Sequence, residues 1–297
     1  MTSPGRTAMR PYKHPESDPM LRVMTFNIRG FYNRDGANAW AHREALNLAT
    51  IRRCAPDLIG FQEANGRNLE VYHRELAAYH YVAGPPYNNA APHQFPAIFW
   101  NPKKLRPIEC DTFWLSETPD VYSGSWNTDC IRSAAWVRFR CIDTGATIVH
   151  LNTHLDHISE QARVEGTKLI IDRLAVIQGD GSAAVVTGDF NAPVDSAAYR
   201  LFADAGFADA HLACDNDDDP ARSFTYHGFE GEAFRGSDAT PRRIDWILLR
   251  DGASTLVRAA SCDIVRDGAP PLYPSDHYPV VADIALLAEA RQSLIGR

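Results

Sequence analysis

The sequence predicts an α/β fold in which strands and helices mix along a single domain. Three observations carry this. Short runs of β-branched and small apolar residues, such as Asp57 to Gln62 and Ala183 to Thr187, recur along the chain and read as buried strands. Between some of them lie longer stretches of good helix formers with apolar residues on one side, as in Trp40 to Arg53. No repeat, low-complexity tract or linker divides the 297 residues, a length that one large domain can hold.

Taken in order, Leu21 to Phe26 alternates and is rich in β-formers, so it is the first strand. Asn33 to Asn38 is a turn-rich loop, and the helix from Trp40 ends before Pro56. The second strand stops at Glu63. A helix over Asn68 to Ala78 and a short strand at Tyr81 to Ala83 lead into a Pro/Asn-rich loop, Gly84 to Pro96, long enough to face a substrate. Strands follow at Ala97 to Trp100 and Leu105 to Leu115, then a loop to Ser125. Ala134 to Ile142 and Thr147 to Leu151 form a hairpin around Thr144-Gly145, and Ser159 caps a long helix to about Ile177. After the Ala183 strand come a short helix (Ser196 to Ala205) and a polar stretch without clear periodicity (Cys214 to Thr240). Strands at Arg243 to Leu249, Ser261 to Val265 and Val280 to Ile284 complete the chain.

The first twenty residues carry Pro, Ser, Lys and Asp without an apolar centre, so they are expected to be a disordered leader rather than a secretory signal. No apolar run reaches the roughly 20 residues that span a bilayer. Six scattered cysteines with no C-x-x-C fit reduced thiols in a cytoplasmic protein better than a disulfide framework or a zinc site. A net charge of -7 and the acidic run Asp215 to Asp219 weaken the expectation of a grip on long nucleic acid, which needs Lys and Arg against phosphates. A monomer is expected.

Strand after strand ends in a polar residue: Asn27, Glu63, His154, Asp189 with Asn191, and Asp276-His277 just before the last one. Strand ends gathered at one edge build one cleft. Glu63 and Asp276 are hard oxygen donors suited to Mg²⁺ or Mn²⁺. Histidines beside a carboxylate can donate to a phosphoryl oxygen. Arg132 is either a second phosphate clamp or a surface residue. Phe113, Trp114 and Trp126 could stack a base or sugar, with core packing the fate of at least one. Asp156, His157 and Arg163 are equally compatible with helix capping, solvation or a place in the cleft.

The ordered set Thr-Phe-Asn27, Gln62-Glu63, Thr-His154-Leu, Gly-Asp189-Phe-Asn191, Arg-Ile-Asp245-Trp and Ser-Asp276-His277 resembles the endonuclease/exonuclease/phosphatase superfamily. The Phe113 to Pro119 stretch is most similar to its deadenylase-like bacterial branch. The resemblance implies a four-layer α/β sandwich over residues 21–297, with two mixed β-sheets packed face to face and helices outside. It implies Glu63, Asn27 and Asp276 around a Mg²⁺ or Mn²⁺ ion, and Asp189 as the group that orients or deprotonates water with help from Asn191. His277 would contact the phosphoryl group, steadied by Asp245, and His154 would bind a phosphate oxygen or act on the leaving group. Arg132, Trp114 and Asn191 would contact substrate. The expected substrate is a phosphomonoester or phosphodiester of a small molecule of sugar, nucleotide or inositol type, with nuclease action on DNA or RNA as the alternative.

Two rivals stand beside this. Asn152 to His157 nearly spells the H-x-H-x-D-H motif of metallo-β-lactamase-like zinc hydrolases, but Asn152 replaces the first histidine and Glu63, Asn191 and Asp276-His277 go unexplained. A phosphate-binding module without catalysis is disfavoured because every expected catalytic position is filled.

Overall fold

The structure, a computed structural model, describes residues 19–31, 33–86, 93–179, 181–235 and 242–288. The leader, most of the Gly84 loop's tip (87–92) and residues 236–241 lie outside the described residues. Twelve strands are present among those described: β1 (Met20–Asn27), β2 (Leu58–Asn65), β3 (His80–Ala83), β4 (Gln94–Trp100), β5 (Leu105–Trp114), β6 (Ser133–Cys141), β7 (Thr147–His154), β8 (Ala183–Asp189), β9 (Ala208–Asp209), β10 (Asp245–Arg250), β11 (Thr255–Ile264) and β12 (Val280–Ala288). The helices are α1 (Trp40–Cys54), α2 (Gly66–Glu75), α3 (Glu160–Ile177), α4 (Ala197–Asp204) and α5 (Ala210–Ala213). No helix among the described residues is long and apolar enough to cross a membrane.

Two six-stranded sheets run in the orders β11-β12-β1-β2-β4-β3 and β5-β6-β7-β8-β10-β9. Each is mixed: β1 and β2 are parallel and joined through α1, β7 and β8 are parallel and joined through α3, and the other neighbours are antiparallel. The expected four-layer sandwich is what the chain forms. The central strands β2, β7, β8 and β10 are buried on both faces, which is why they read as near-continuous apolar runs, whereas the edge strands β3 and β5 are largely exposed.

Period-two alternation sorts their side chains. Val23, Leu58, Val137, Ile148, Val185 and Ile247 share the core between the sheets. Their neighbours Met24, Ile59 and Phe61 pack with Trp40, Leu48, Ile51 and Tyr72 on the helical side of the first sheet. Val149, Leu151, Val186 and Leu248 pack with Ile170, Leu174 and Phe202 on the helical side of the second.

Local chemistry sets the ends. Ala55 takes a left-handed conformation after α1, just before Pro56. Asn65 and Asn68 form a reciprocal capping box at α2, so that helix begins and ends earlier than its pattern suggests. Ser159 caps α3 by accepting from Ala162 N. Pairing with a neighbour extends β11 and β12 well past their apolar runs, and β4 starts at Gln94, inside the expected loop.

Along each inner face the side chains grade from apolar to polar. On β8 the inward series is Ala183, Val185, Thr187, Asp189; on β7 it is Ile148, His150, Asn152, His154; on β1 it is Leu21, Val23, Thr25, Asn27. Midway, a buried polar seam ties the sheets together. Asn152 donates to the carbonyls of Phe61 (2.8 Å) and Ala97 (3.1 Å) and accepts from Gln62 (2.7 Å) and Thr187 (3.1 Å). Gly60 makes room for it: a Cβ there would overlap Thr187 Oγ1 and lie 2.5 Å from Asn152 Oδ1. Gly60→Ala is therefore expected to lower stability by about 1–3 kcal/mol through overpacking, measured by urea denaturation; an unchanged midpoint would show that the sheets can part at no cost.

Candidate active site

The polar end of the sandwich collects six strand ends. Asn27, Glu63, His154 and Asp189 sit at or beside the C-terminal ends of β1, β2, β7 and β8. Asp245 opens β10, which runs antiparallel to β8 and sets Asp245 directly opposite Asp189. Asp276 and His277 precede β12, antiparallel to β1, and so reach the same edge. Glu63 would face the helices by simple alternation. A register irregularity between Phe61 and Ala64 and a positive φ of 62° redirect it.

Asp189 is the centre of the cluster. Its Oδ2 accepts from Asn27 Nδ2 at 2.8 Å across the two sheets, and its Oδ1 accepts from Asn191 N at 2.9 Å. Asn191 holds a left-handed φ of 47°, which folds the chain back over Asp189. His154 Nε2 lies 3.3 Å and His277 Nε2 3.7 Å from Asp189 Oδ2. Burial raises the Asp189 carboxyl, the neighbouring Asp245 charge raises it further, and His277 opposes both.

The two histidines differ in state. Burial pushes His154 well below the usual imidazole range, with Arg132 adding to this. Asn191 Nδ2 donates to the Leu155 carbonyl (3.0 Å) and sits 2.9 Å from His154 Nε2. A carbonyl can only accept, so the amide nitrogen is on that side and His154 Nε2 accepts its second hydrogen. His154 is thus neutral, with its proton on Nδ1. His277 is the reverse. Burial would lower it, but Asp245, whose Oδ2 is 2.9 Å from Nδ1, and Asp189 together hold it up at about 10. It is an imidazolium at neutral pH, with Nε2–H turned toward Asp189.

Glu63 accepts from Asn27 Nδ2 (3.2 Å) and Gln94 Nε2 (3.0 Å) through its two oxygens. Asp276 accepts from Ser275 Oγ (3.2 Å) and lies 3.8 Å from Arg29 Nε. Burial raises the Asp276 carboxyl, and the like charge of Glu63 contributes, against His277 and Arg29. A half-buried and a buried carboxylate whose charges act on each other gain from a cation, and an all-oxygen donor set fits Mg²⁺ or Mn²⁺. Asp189, Asp245 and His277 also bring ligand-type atoms within 4.8 Å of one another, but there Asp245 Oδ2 and His277 Nδ1 are engaged with each other at 2.9 Å.

The remaining expectations divide. Arg132 is buried, and its Nη2 is 3.5 Å from His157 Nδ1 at the margin of the cluster. The Trp114 ring meets Tyr122 of the following loop edge-on at 6.0 Å, and Phe113 is core. Asp156 proves structural: Oδ2 accepts from Thr128 Oγ1, Asp129 N and Cys130 N, and Oδ1 from Ile158 N and Ser159 N. Arg163 reaches back from α3 to the Asp156 carbonyl at 2.9 Å.

Sequence reasoning missed Arg43. Fully buried in α1, it donates to the carbonyls of Ile28, Arg29, Gly30, Asn38 and Pro274. It thereby fastens the turn after Asn27 to the loop before Asp276. The only signal was an Arg at helical spacing from Trp40, Asn47 and Ile51, on the face that packs inward.

The chain belongs to the Endonuclease/Exonuclease/phosphatase family, whose pattern matches residues 24–277. Members of this family are hydrolases that act on phosphoesters. A Bacteroides vulgatus endonuclease/exonuclease/phosphatase structure is 30% identical and superposes with a TM-score of 0.77, covering 91% of this chain and 100% of its own. The mannosyl-6-phosphatase of Bacteroides thetaiotaomicron is 28% identical with a TM-score of 0.77, covering 90% of this chain and 99% of its own. An uncharacterized protein of Acanthamoeba polyphaga mimivirus, L388, is 28% identical over 182 residues, 58% of this chain and 67% of its own.

Hydrogen bonding to the charged form outweighs burial at Asp156, so its carboxyl lies below the ordinary value. It therefore stabilises the fold above that ordinary value, and the contribution is lost as pH falls through the lowered one. Asp156→Asn should cost about 1–3 kcal/mol at neutral pH, and the gap to wild type should narrow in acid; denaturant titrations at both pH values measure this.

Proposed function

We propose that the protein is a divalent-metal-dependent phosphoesterase that hydrolyses a phosphomonoester or phosphodiester of a small molecule by in-line attack of water. The observation that carries this is the arrangement around Asp189: a buried carboxylate between a neutral His154 and a cationic His277, next to the Glu63–Asp276 oxygens. Asp189, held by Asn27 and Asn191, takes the proton of the attacking water as the water oxygen bonds to phosphorus; the ester P–O bond breaks and the leaving oxygen takes a proton from solvent. His154 Nε2, 3.3 Å from Asp189 Oδ2, is an acceptor within reach of the same proton. His277 Nε2–H donates to a phosphoryl oxygen as negative charge builds there, and Asp245 keeps that ring charged and oriented. A divalent ion held by Glu63 and Asp276, with Asn27 nearby, would supply further charge neutralisation.

A compact substrate is supported by the acidic balance of the chain, by the enclosure of Asp189 and His277, and by the likeness to a bacterial mannosyl-6-phosphatase. Mannose 6-phosphate is accordingly the first substrate to assay, alongside inositol and nucleotide phosphates and a generic phosphodiester. Single-stranded RNA and supercoiled DNA complete the panel.

Asp189→Asn and His277→Ala should each reduce kcat by at least roughly 10²–10³. EDTA should abolish turnover, and Mg²⁺ or Mn²⁺ should restore it. Metal-independent turnover, or turnover that survives Asp189→Asn, would sink the assignment. Preference for RNA or DNA over every small ester would make the protein a nuclease instead.

A further inference from the structure

We propose that Asp129, Cys130 and His157 form a second metal site, selective for a zinc-class ion, at the margin of the cleft. The carboxylate oxygen Asp129 Oδ2 is 3.6 Å from Cys130 Sγ and 3.7 Å from His157 Nε2, and all three donor atoms lie within 4.8 Å of one another. In tetrahedral zinc with Zn–S near 2.3 Å and Zn–N and Zn–O near 2.0–2.2 Å, neighbouring donors are separated by roughly 3.3–3.6 Å. Two of the three edges are therefore almost at their bound lengths, and rotation of the half-open side chains closes the third.

The backbone beneath these donors is already set. One buried carboxylate, Asp156, holds both segments that supply them: Oδ2 binds the Asp129 and Cys130 amides at 3.0 Å each, and Oδ1 binds the Ile158 and Ser159 amides at 3.0 and 2.6 Å, just after His157. This explains why a short loop and the approach to α3 meet with three ligand types converging. A thiolate and an imidazole select zinc-class ions over Mg²⁺, which demands oxygen donors. Binding would release the Cys130 thiol proton to solvent and engage His157 through Nε2, the ring nitrogen turned toward Asp129 while Nδ1 is the one that faces Arg132. Three protein ligands leave the fourth position to water or to an anionic ligand. None of these residues belongs to the Glu63–Asp276 pair, so the inference does not rest on the proposed activity.

Cobalt is the probe, because a thiolate–cobalt bond gives a charge-transfer band that oxygen and nitrogen donors do not. The full chain, in excess Mg²⁺ to fill oxygen sites, should develop this band and saturate at about one equivalent of Co²⁺. Zn²⁺ should bleach it. Cys130→Ser should abolish the band while leaving Mg²⁺-supported hydrolysis and the circular dichroism spectrum unchanged. Asp156→Asn should weaken cobalt affinity roughly 10-fold or more, as loss of a supporting hydrogen-bond partner does at metal sites. Glu63→Gln should leave the band intact. Absence of a thiolate band in the wild type, or its persistence in Cys130→Ser, would overturn the proposal, the latter assigning the ion to another of the six cysteines.

Discussion

A hydrogen bond between the sheets, from Asn27 at the end of one to Asp189 at the end of the other, is the contact on which the site depends. Burying a carboxylate is costly unless donors replace its water. Asp189 receives them from β1 and from its own following turn, so the charge is tolerable only when the two sheets are seated in register. The Asn152 seam deeper in the sandwich enforces that register: each of its bonds runs to a neighbour fixed by strand pairing, and a slip of one residue would bury the wrong face of every strand. Folding and assembly of the site are thus one event.

The same burial leaves two histidines in different charge states. His154 has the Asn191 amide against Nε2 and Arg132 near enough to repel a proton, so desolvation prevails and the ring is neutral. His277 has Asp245 behind it and Asp189 before it, and two carboxylates overcome desolvation. An acceptor and a cationic donor then flank one carboxylate, a division of labour that neither residue type nor strand position dictates. It arises from which group lies behind each ring. Arg43 works at longer reach. Its guanidinium gathers five carbonyls from three segments, and the turn that carries Asn27 and the loop that carries Asp276 cannot separate without leaving a buried cation short of acceptors.

Much of this was legible in the chain. The buried strands were, because two-sided burial writes continuous apolar runs; so were the helix cap at Ser159 and the polar strand ends, because a strand that leaves the core must change composition. What composition could not carry was anything set by a partner far along the chain. The full lengths of β11 and β12 come from pairing with each other, not from local propensity. Glu63 needs an irregularity in β2 to reach the site. Phe113 and Trp114 are adjacent, yet one fills the core and the other lies against Tyr122, because strand parity separates neighbours. Asp156 suits cleft or cap equally by sequence, but its two oxygens bind its own following turn and the distant Thr128–Cys130 loop.

The sequence by itself determined the α/β class, the alternation that sorts each strand into core-facing and helix-facing sides, and the polar residues at the strand ends from Asn27 to His277. Each of these follows from local periodicity or from a residue type placed at a strand end. Only the tertiary structure decided which carboxylate stands behind which histidine, which ring is charged, and which polar residues serve the fold. Protonation and hydrogen bonding depend on distances of about 3 Å between groups far apart in sequence, and those distances exist only once both sheets have closed on their shared core.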